Sequence, residues 1–168
     1  MKAQFYLFLT VTKFKILYVT CYQRKAVFLN NCINAMTLLV SVSSIAAWSV
    51  WSQLGPLWSI LIGVAQVMQV IKPFLPFSDR LNALKYFLPD LQLLFTDAEL
   101  IWNQMAKYDE VELADKLCQF RRNYLTIDNR YMGQLDIPES KRIHKTVTPE
   151  WERYFNPFYQ RINKEDLQ

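Results

Sequence analysis

From Ala26 to Ile71 the chain runs through 46 positions without an Asp, Glu, Lys or Arg. Within that run, polar residues keep helical spacing. Asn30, Asn34, Thr37, Ser41, Ser44 and Trp48 follow one another at intervals of 4, 3, 4, 3 and 4, one face of a helix with the 3.5-residue period of a packed seam. Ser59, Gly63, Gln66 and Gln69 gather more loosely on one side of a second segment. The run is about twice the ~20 residues that cross a hydrocarbon core roughly 30 Å thick, and Gly55-Pro56 punctuates it near its middle. The pattern predicts a hairpin of two membrane spans, near 33–53 and 57–77. A soluble reading would have to bury both helices on every side, and the rest of the chain offers too few helices to wrap them.

Beyond the run the period stays helical. Ser78 is placed to cap a helix whose apolar positions include Leu81, Leu84, Leu88, Leu91 and Leu94, with Pro89 expected to kink or split it. Thr96-Asp97-Ala98-Glu99 has the form of a capping box and predicts a fresh start running to about Lys107. Asp109 is the next cap, and Leu113, Leu117, Phe120, Tyr124, Ile127 and Tyr131 repeat at 4, 3, 4, 3 and 4, a helix over about 110–132 stopped by Gly133. That seam serves either as core packing or as a contact between subunits or with a partner. Residues 134–140 read as a linker, and Thr148-Pro149 as the start of a helix to Tyr159 carrying Trp151, Tyr154, Phe155 and Phe158. Such a face docks either on the chain's own helices or on the inner membrane surface.

The expected fold class is therefore all-α, divided as 1–28, a basic amphipathic segment; 29–77, a transmembrane hairpin; and 78–168, a cytoplasmic helical domain. Charge sharpens this division. Residues 1–25 hold Lys2, Lys13, Lys15, Arg24 and Lys25 and no acid, so the net charge of +4 belongs to the N-terminus. Basic residues flank the run on its outer sides, at Arg24, Lys25, Lys72, Arg80 and Lys85, while Ser52-Gln53-Leu54-Gly55 has none. By the positive-inside rule both termini face the cytoplasm. Trp48, Trp51 and Trp58 cluster at the outer turn, and Tyr22, Phe28, Phe74 and Phe77 near the inner edge. Lys2 before an apolar stretch suggests a secretory signal, but Lys13 and Lys15 interrupt it and no small-x-small cleavage pattern follows. Residues 1–20 read as a cationic helix at the inner membrane surface, as an extension of the first span, or, from the alternation of Thr10 to Lys15, as a short strand.

Candidate chemistry is sparse. His144 is the only histidine, with no Ser or Cys at a telling distance, and reads as a solvated loop residue. Gly-rich phosphate loops, HExxH and paired acid motifs are absent, and Cys21, Cys32 and Cys118 have neither disulfide nor zinc spacing. No enzyme, metal or cofactor is expected, nor a duplex nucleic acid partner. Arg121, Arg122, Lys141, Arg142 and Lys145 are candidate contacts for lipid or nucleotide phosphate, or ordinary solvated surface. The polar faces of the hairpin must turn toward protein or water, because amides and hydroxyls facing lipid are costly. They are either glue between hairpins or the lining of a neutral path.

In the order of its parts the stretch from Tyr22 to Tyr159 resembles the SLATT family of bacterial two-span effector domains: Tyr22-Gln23-Arg24-Lys25, a first span with inner asparagines, a short turn, a second span ending Lys72-Pro73-Phe74-Leu75-Pro76-Phe77, then Leu-rich helices with Trp102. The resemblance implies an oligomer in the bacterial inner membrane that a nucleotide second messenger or a sensor protein triggers to permeabilise or depolarise that membrane, as in anti-phage defence. A non-enzymatic anchor or scaffold for a partner, and a holin-like lysis protein, are the competing expectations.

Overall fold

Phe5, Leu9, Thr12, Ile16 and Val19, spaced 4, 3, 4 and 3, are all buried, and they make the N-terminal part of α1 the centre of a helical bundle. The computed structural model describes residues 2–50, 55–71, 77–133 and 137–165, without the side chains of 39–50, 55–58, 61, 69, 71, 77–79 and 157–165. All elements there are helical: α1 (Lys2–Val50), α2 (Gly55–Ile71), α3 (Phe77–Asn103), α4 (Glu110–Met132) and α5 (Lys141–Glu165), with a short 3-10 turn at Met105–Lys107. They form two units, one of residues 1–23 and 82–168 and the other of residues 24–81.

The first unit is built around α1. From α3 it takes Leu84, Phe87, Leu91, Leu94, Phe95 and Ala98, from α4 Leu113 and Leu117, and from α5 Phe155, all buried in one cluster. Tyr18, Ile143 and Val147 form a smaller cluster beside it. Trp151 and Tyr154 pack onto the main cluster together with Phe155, so the aromatic face of α5 docks on the chain's own helices; the side chain of Phe158 lies outside the described residues. Residues 2–20 are thus no strand; they are helical and continuous with the segment that follows, in α1. Their apolar stripe is covered by three helices from the other end of the chain.

Local starts and stops agree with the sequence in α4 and differ elsewhere. Asp109 is the cap expected there, and together with Glu112 it forms a capping box, with Asp109 Oδ1 accepting from the Glu110 amide at 2.7 Å. Gly133 ends α4 with right-handed backbone, φ −56°, and any Cβ on it would stand 2.7 Å from the carbonyl oxygen of Asn129. Thr96 does not cap a new helix: α3 is continuous, and the Thr96 hydroxyl donates to the Gln92 carbonyl at 2.9 Å, one turn back. Pro89 sits within α3 without splitting it, at an exposed position, and leaves the Lys85 carbonyl without the amide donor of an ordinary helical residue. The helix expected from Pro149 begins eight residues earlier, at Lys141, where the Ser140 carbonyl accepts from the amides of Ile143 and His144. His144 is therefore helical, with its ring 5.0 Å from that of Phe14 and 5.5 Å from that of Tyr18, and not a loop residue.

The second unit has the opposite composition of surface and interior. Among its described residues only Ala26, Ala65 and Leu81 are buried. Among the described residues no helix is long and apolar enough to cross a membrane. α2 has 17 residues, about 25 Å at 1.5 Å per residue against a hydrocarbon core of roughly 30 Å. Of the two expected spans, the first is helical to Val50; positions 51–54 and 72–76 lie outside the described residues.

The placement of α1 sets a test by thermal denaturation of the full chain. Phe5→Ala, which empties a fully buried site, is expected to cost about 3–5 kcal/mol, and Leu7→Ala, two positions away and 59% exposed, within about 0.5 kcal/mol. The reverse order would place this helix outside the bundle.

Candidate functional site

Two lysines enter the bundle from α1, and their surroundings differ. The Lys15 ammonium donates to Asp128 Oδ1 at 2.6 Å and to the Tyr124 hydroxyl at 2.7 Å, both on α4. Its Nζ also lies 5.6 Å from the centre of the Phe87 ring. Burial alone would lower its pKa, but the bonds to Asp128 and Tyr124 and the Asp128 charge outweigh it and hold the pKa above the ordinary 10.5.

Lys13 has no such bonded carboxylate. Its Nζ stands 3.8 Å from the ring centre of Tyr154 and 4.9 Å from that of Phe95. Burial lowers its pKa, and the nearby charges of Glu99 and Glu150 recover only part of the loss. Tyr154 is itself engaged, its hydroxyl donating to Glu99 Oε1 at 2.6 Å. Burial, then that carboxylate, raise the Tyr154 pKa well above its usual value.

Two further polar contacts fix α1 against the C-terminal half. Trp151 Nε1 donates to the Thr10 carbonyl at 3.0 Å. The Tyr18 hydroxyl donates to the Pro138 carbonyl at 2.9 Å and accepts from the Ser140 amide at 2.8 Å, tying down the connection that leads into α5. Alongside Trp151 an open cavity of about 600 Å³ is lined by Ala3, Tyr6, Leu7, Thr10, Val11 and Phe14. Its lining offers aromatic and aliphatic surface and the hydroxyls of Tyr6 and Thr10.

The residues singled out from the sequence fall into three groups. Leu113 and Leu117 are buried, and Phe120, Tyr124, Ile127 and Tyr131 are half-buried against the main cluster, so the α4 seam is covered within its own chain. Tyr131 adds a hydrogen bond to Asp90 Oδ2 of α3 at 2.8 Å. Arg121, Arg122, Lys141, Arg142 and Lys145 are all exposed, and none lines the cavity. In the second unit Asn30, Asn34 and Thr37 are half-buried, while Ser59, Gly63 and Gln66 are exposed; an added Cβ at Gly63 meets open space. The side chains of Ser41, Ser44 and Gln69 lie outside the described residues.

Sequence reading named Lys13, Lys15, Glu99 and Tyr154 in other roles and did not anticipate their contacts, nor any role for Tyr18. The available signal was the 4, 3, 4, 3 seam from Phe5 to Val19, which marks a buried face and leaves Lys13 and Lys15 beside it. Comparison with family models, with curated proteins and with solved structures finds no match.

The two lysines give opposite responses to pH. Lys15, with its folded pKa raised, contributes stability fully below pH 10.5 that is lost as pH rises through the folded value. Lys13, with its folded pKa lowered, opposes folding while charged and is relieved as pH rises toward 10.5. In urea denaturation near pH 7, Lys15→Met is expected to destabilise by about 1 kcal/mol and Lys13→Met to stabilise. As pH approaches 10.5 from below, Lys13→Met should lack the gain in stability that Lys13 gives the native chain, and above pH 10.5 the loss of stability should flatten in Lys15→Met.

Proposed function

We propose that this chain is a non-enzymatic membrane effector: its uncharged helices enter the lipid of a bacterial inner membrane with both termini cytoplasmic, copies assemble through the polar faces, and the assembly permeabilises or depolarises the membrane on a signal received by the helical unit. The observation that carries this reading is the direction of the apolar residues in the second unit. Val27, Phe28 and Leu29 are consecutive and 40–71% exposed, and consecutive helical residues point about 100° apart. Ile60, Val64, Val67, Met68 and Val70 of α2 are likewise 42–69% exposed. On α1 this spreads apolar exposure over about 200° of the helix, which fits a hydrocarbon solvent, while the α2 positions keep to one broad face. The continuous uncharged run supports the same reading, and a 17-residue helix is accommodated by local thinning of the bilayer.

The polar faces then have a role. Asn30, Asn34 and Thr37 on α1, and Ser59, Gly63 and Gln66 on α2, are small or polar groups that pair helices in lipid, each hydrogen bond contributing about 0.6–2 kcal/mol. The resemblance to SLATT domains supplies the trigger, a nucleotide-derived second messenger or a sensor protein. α1 has residues in both units, so a ligand that repacks the helical unit acts on the same helix that carries the first polar face.

Two measurements test this. After alkaline carbonate washing the protein should remain in the membrane fraction, and its release would refute insertion. Induced cells should take up a depolarisation-sensitive dye, and Ser59→Leu combined with Gln66→Leu should keep the protein in the membrane while reducing uptake roughly tenfold, the effect of removing about 1.4 kcal/mol from assembly. Undiminished uptake would remove the polar faces from the mechanism, and absence of any uptake would leave an anchor for a partner.

A further inference from the structure

Tyr86, Leu93 and Leu100 recur every seven residues along α3 and are 64%, 64% and 55% exposed. Pro89, Thr96 and Asn103, each three residues further on, are exposed as well. These six positions form a strip of period 3.5 on the side of α3 opposite Phe87, Leu91, Leu94 and Ala98, which face the core. The strip is thus a second seam on a helix whose first seam is already filled.

We infer that this strip is a subunit interface, paired in parallel with the same strip of a second copy of the chain. The flanking charges select that occupant. In a parallel pair the residue just before one seam position faces the residue four beyond it in the other copy. Lys85, exposed beside Tyr86, then meets Asp90 of the second copy, and Gln92 meets Asp97 of the second copy. An antiparallel pair centred on Leu93 sets Asp90 against Asp97 of the second copy, two carboxylates, whereas the parallel pair opposes no like charges; Lys85 meets a carboxylate that accepts from a tyrosine in either arrangement, Asp90 from Tyr131 or Glu99 from Tyr154. A parallel pair also brings together the two N-terminal ends of α3, to which the uncharged segments are covalently joined. The other exposed heptad positions, Val111, Cys118 and Leu125 on α4, lack this complementarity, since Glu110 there would face Asp115 of the second copy.

This inference rests on the oligomer proposed above and not on membrane insertion, so cross-linking is read separately in the membrane and soluble fractions. In the full chain with Cys21, Cys32 and Cys118 replaced by alanine, Tyr86→Cys and Leu100→Cys should each form a disulfide dimer on mild oxidation, since a parallel pair sets each residue against its own copy. Leu125→Cys should not. In light scattering of the purified protein, Leu93→Glu should lower the dimer fraction at least tenfold with an unchanged thermal midpoint, because Leu93 lies outside the core. Failure of both cysteines to cross-link, a disulfide only between the Tyr86→Cys and Leu100→Cys chains mixed together, or an unchanged mass for Leu93→Glu would overturn the inference. Cross-links in a protein that carbonate releases from the membrane would uphold it while removing insertion.

Discussion

The constraint on which the helical unit depends is the burial of a basic N-terminal helix. Residues 2–20 carry three lysines and no acid, yet the same stretch supplies Phe5, Leu9, Thr12, Ile16 and Val19 to the interior. A core helix with cationic neighbours on its seam must give each ammonium either water, an aromatic face or a carboxylate. Lys15 receives Asp128 and Tyr124; Lys13 receives the faces of Tyr154 and Phe95. The partners come from α3, α4 and α5, so satisfying α1 draws the C-terminal half of the chain around it. The Trp151 bond to the Thr10 carbonyl and the Tyr18 bonds to Pro138 and Ser140 are part of the same closure.

That closure separates two kinds of surface. The first unit has a large apolar interior, with Tyr86, Leu93 and Leu100 among the apolar side chains it leaves exposed. In the second, the described interior is two alanines and a leucine, and Phe28, Leu38, Ile60 and Val70 face outward at 66–71% exposure. A chain of near-zero mean hydropathy can thus hold two units of different surface composition, because the average erases the sorting.

How much of this was legible depends on how local the signal is. α4 could be read almost residue by residue, because its cap, seam and stop all lie within 25 positions: Asp109 with Glu112, the repeat from Leu113 to Tyr131, and Gly133. α3 was legible as a period but not as one helix, since Thr96 bonds back to Gln92 as readily as it could cap forward, and only tertiary packing decides between them. The start of α5 was misplaced by the strength of Thr148-Pro149, where Ser140 and the remote Tyr18 hydroxyl set the true beginning. For the candidate site the failure was of another kind. Lys13 and Lys15 looked like the cationic face of a surface helix because their partners, Glu99, Asp128 and Tyr154, lie 86 to 141 residues away; sequence spacing carries no information about contacts of that range.

The use of the α4 seam within its own chain bears on how an assembly would form. Polar contacts between helices in lipid are individually weak, about 0.6 kcal/mol on average, because separated helices also find partners there. Faces such as Asn30-Asn34-Thr37 and Ser59-Gly63-Gln66 would therefore associate poorly from dilute, independent chains. In the proposed arrangement a pairing of helical units through α3 brings two hairpins to an effective concentration in the millimolar range, at which contacts of that size become sufficient. Assembly would then be governed outside the membrane, on a surface a cytoplasmic signal can reach, while the polar faces decide only what the assembled helices do to the bilayer. In that proposal control and effect lie on different helices, and a run of 46 residues without Asp, Glu, Lys or Arg would need no buried charge to hold its helices together once the other unit has gathered them.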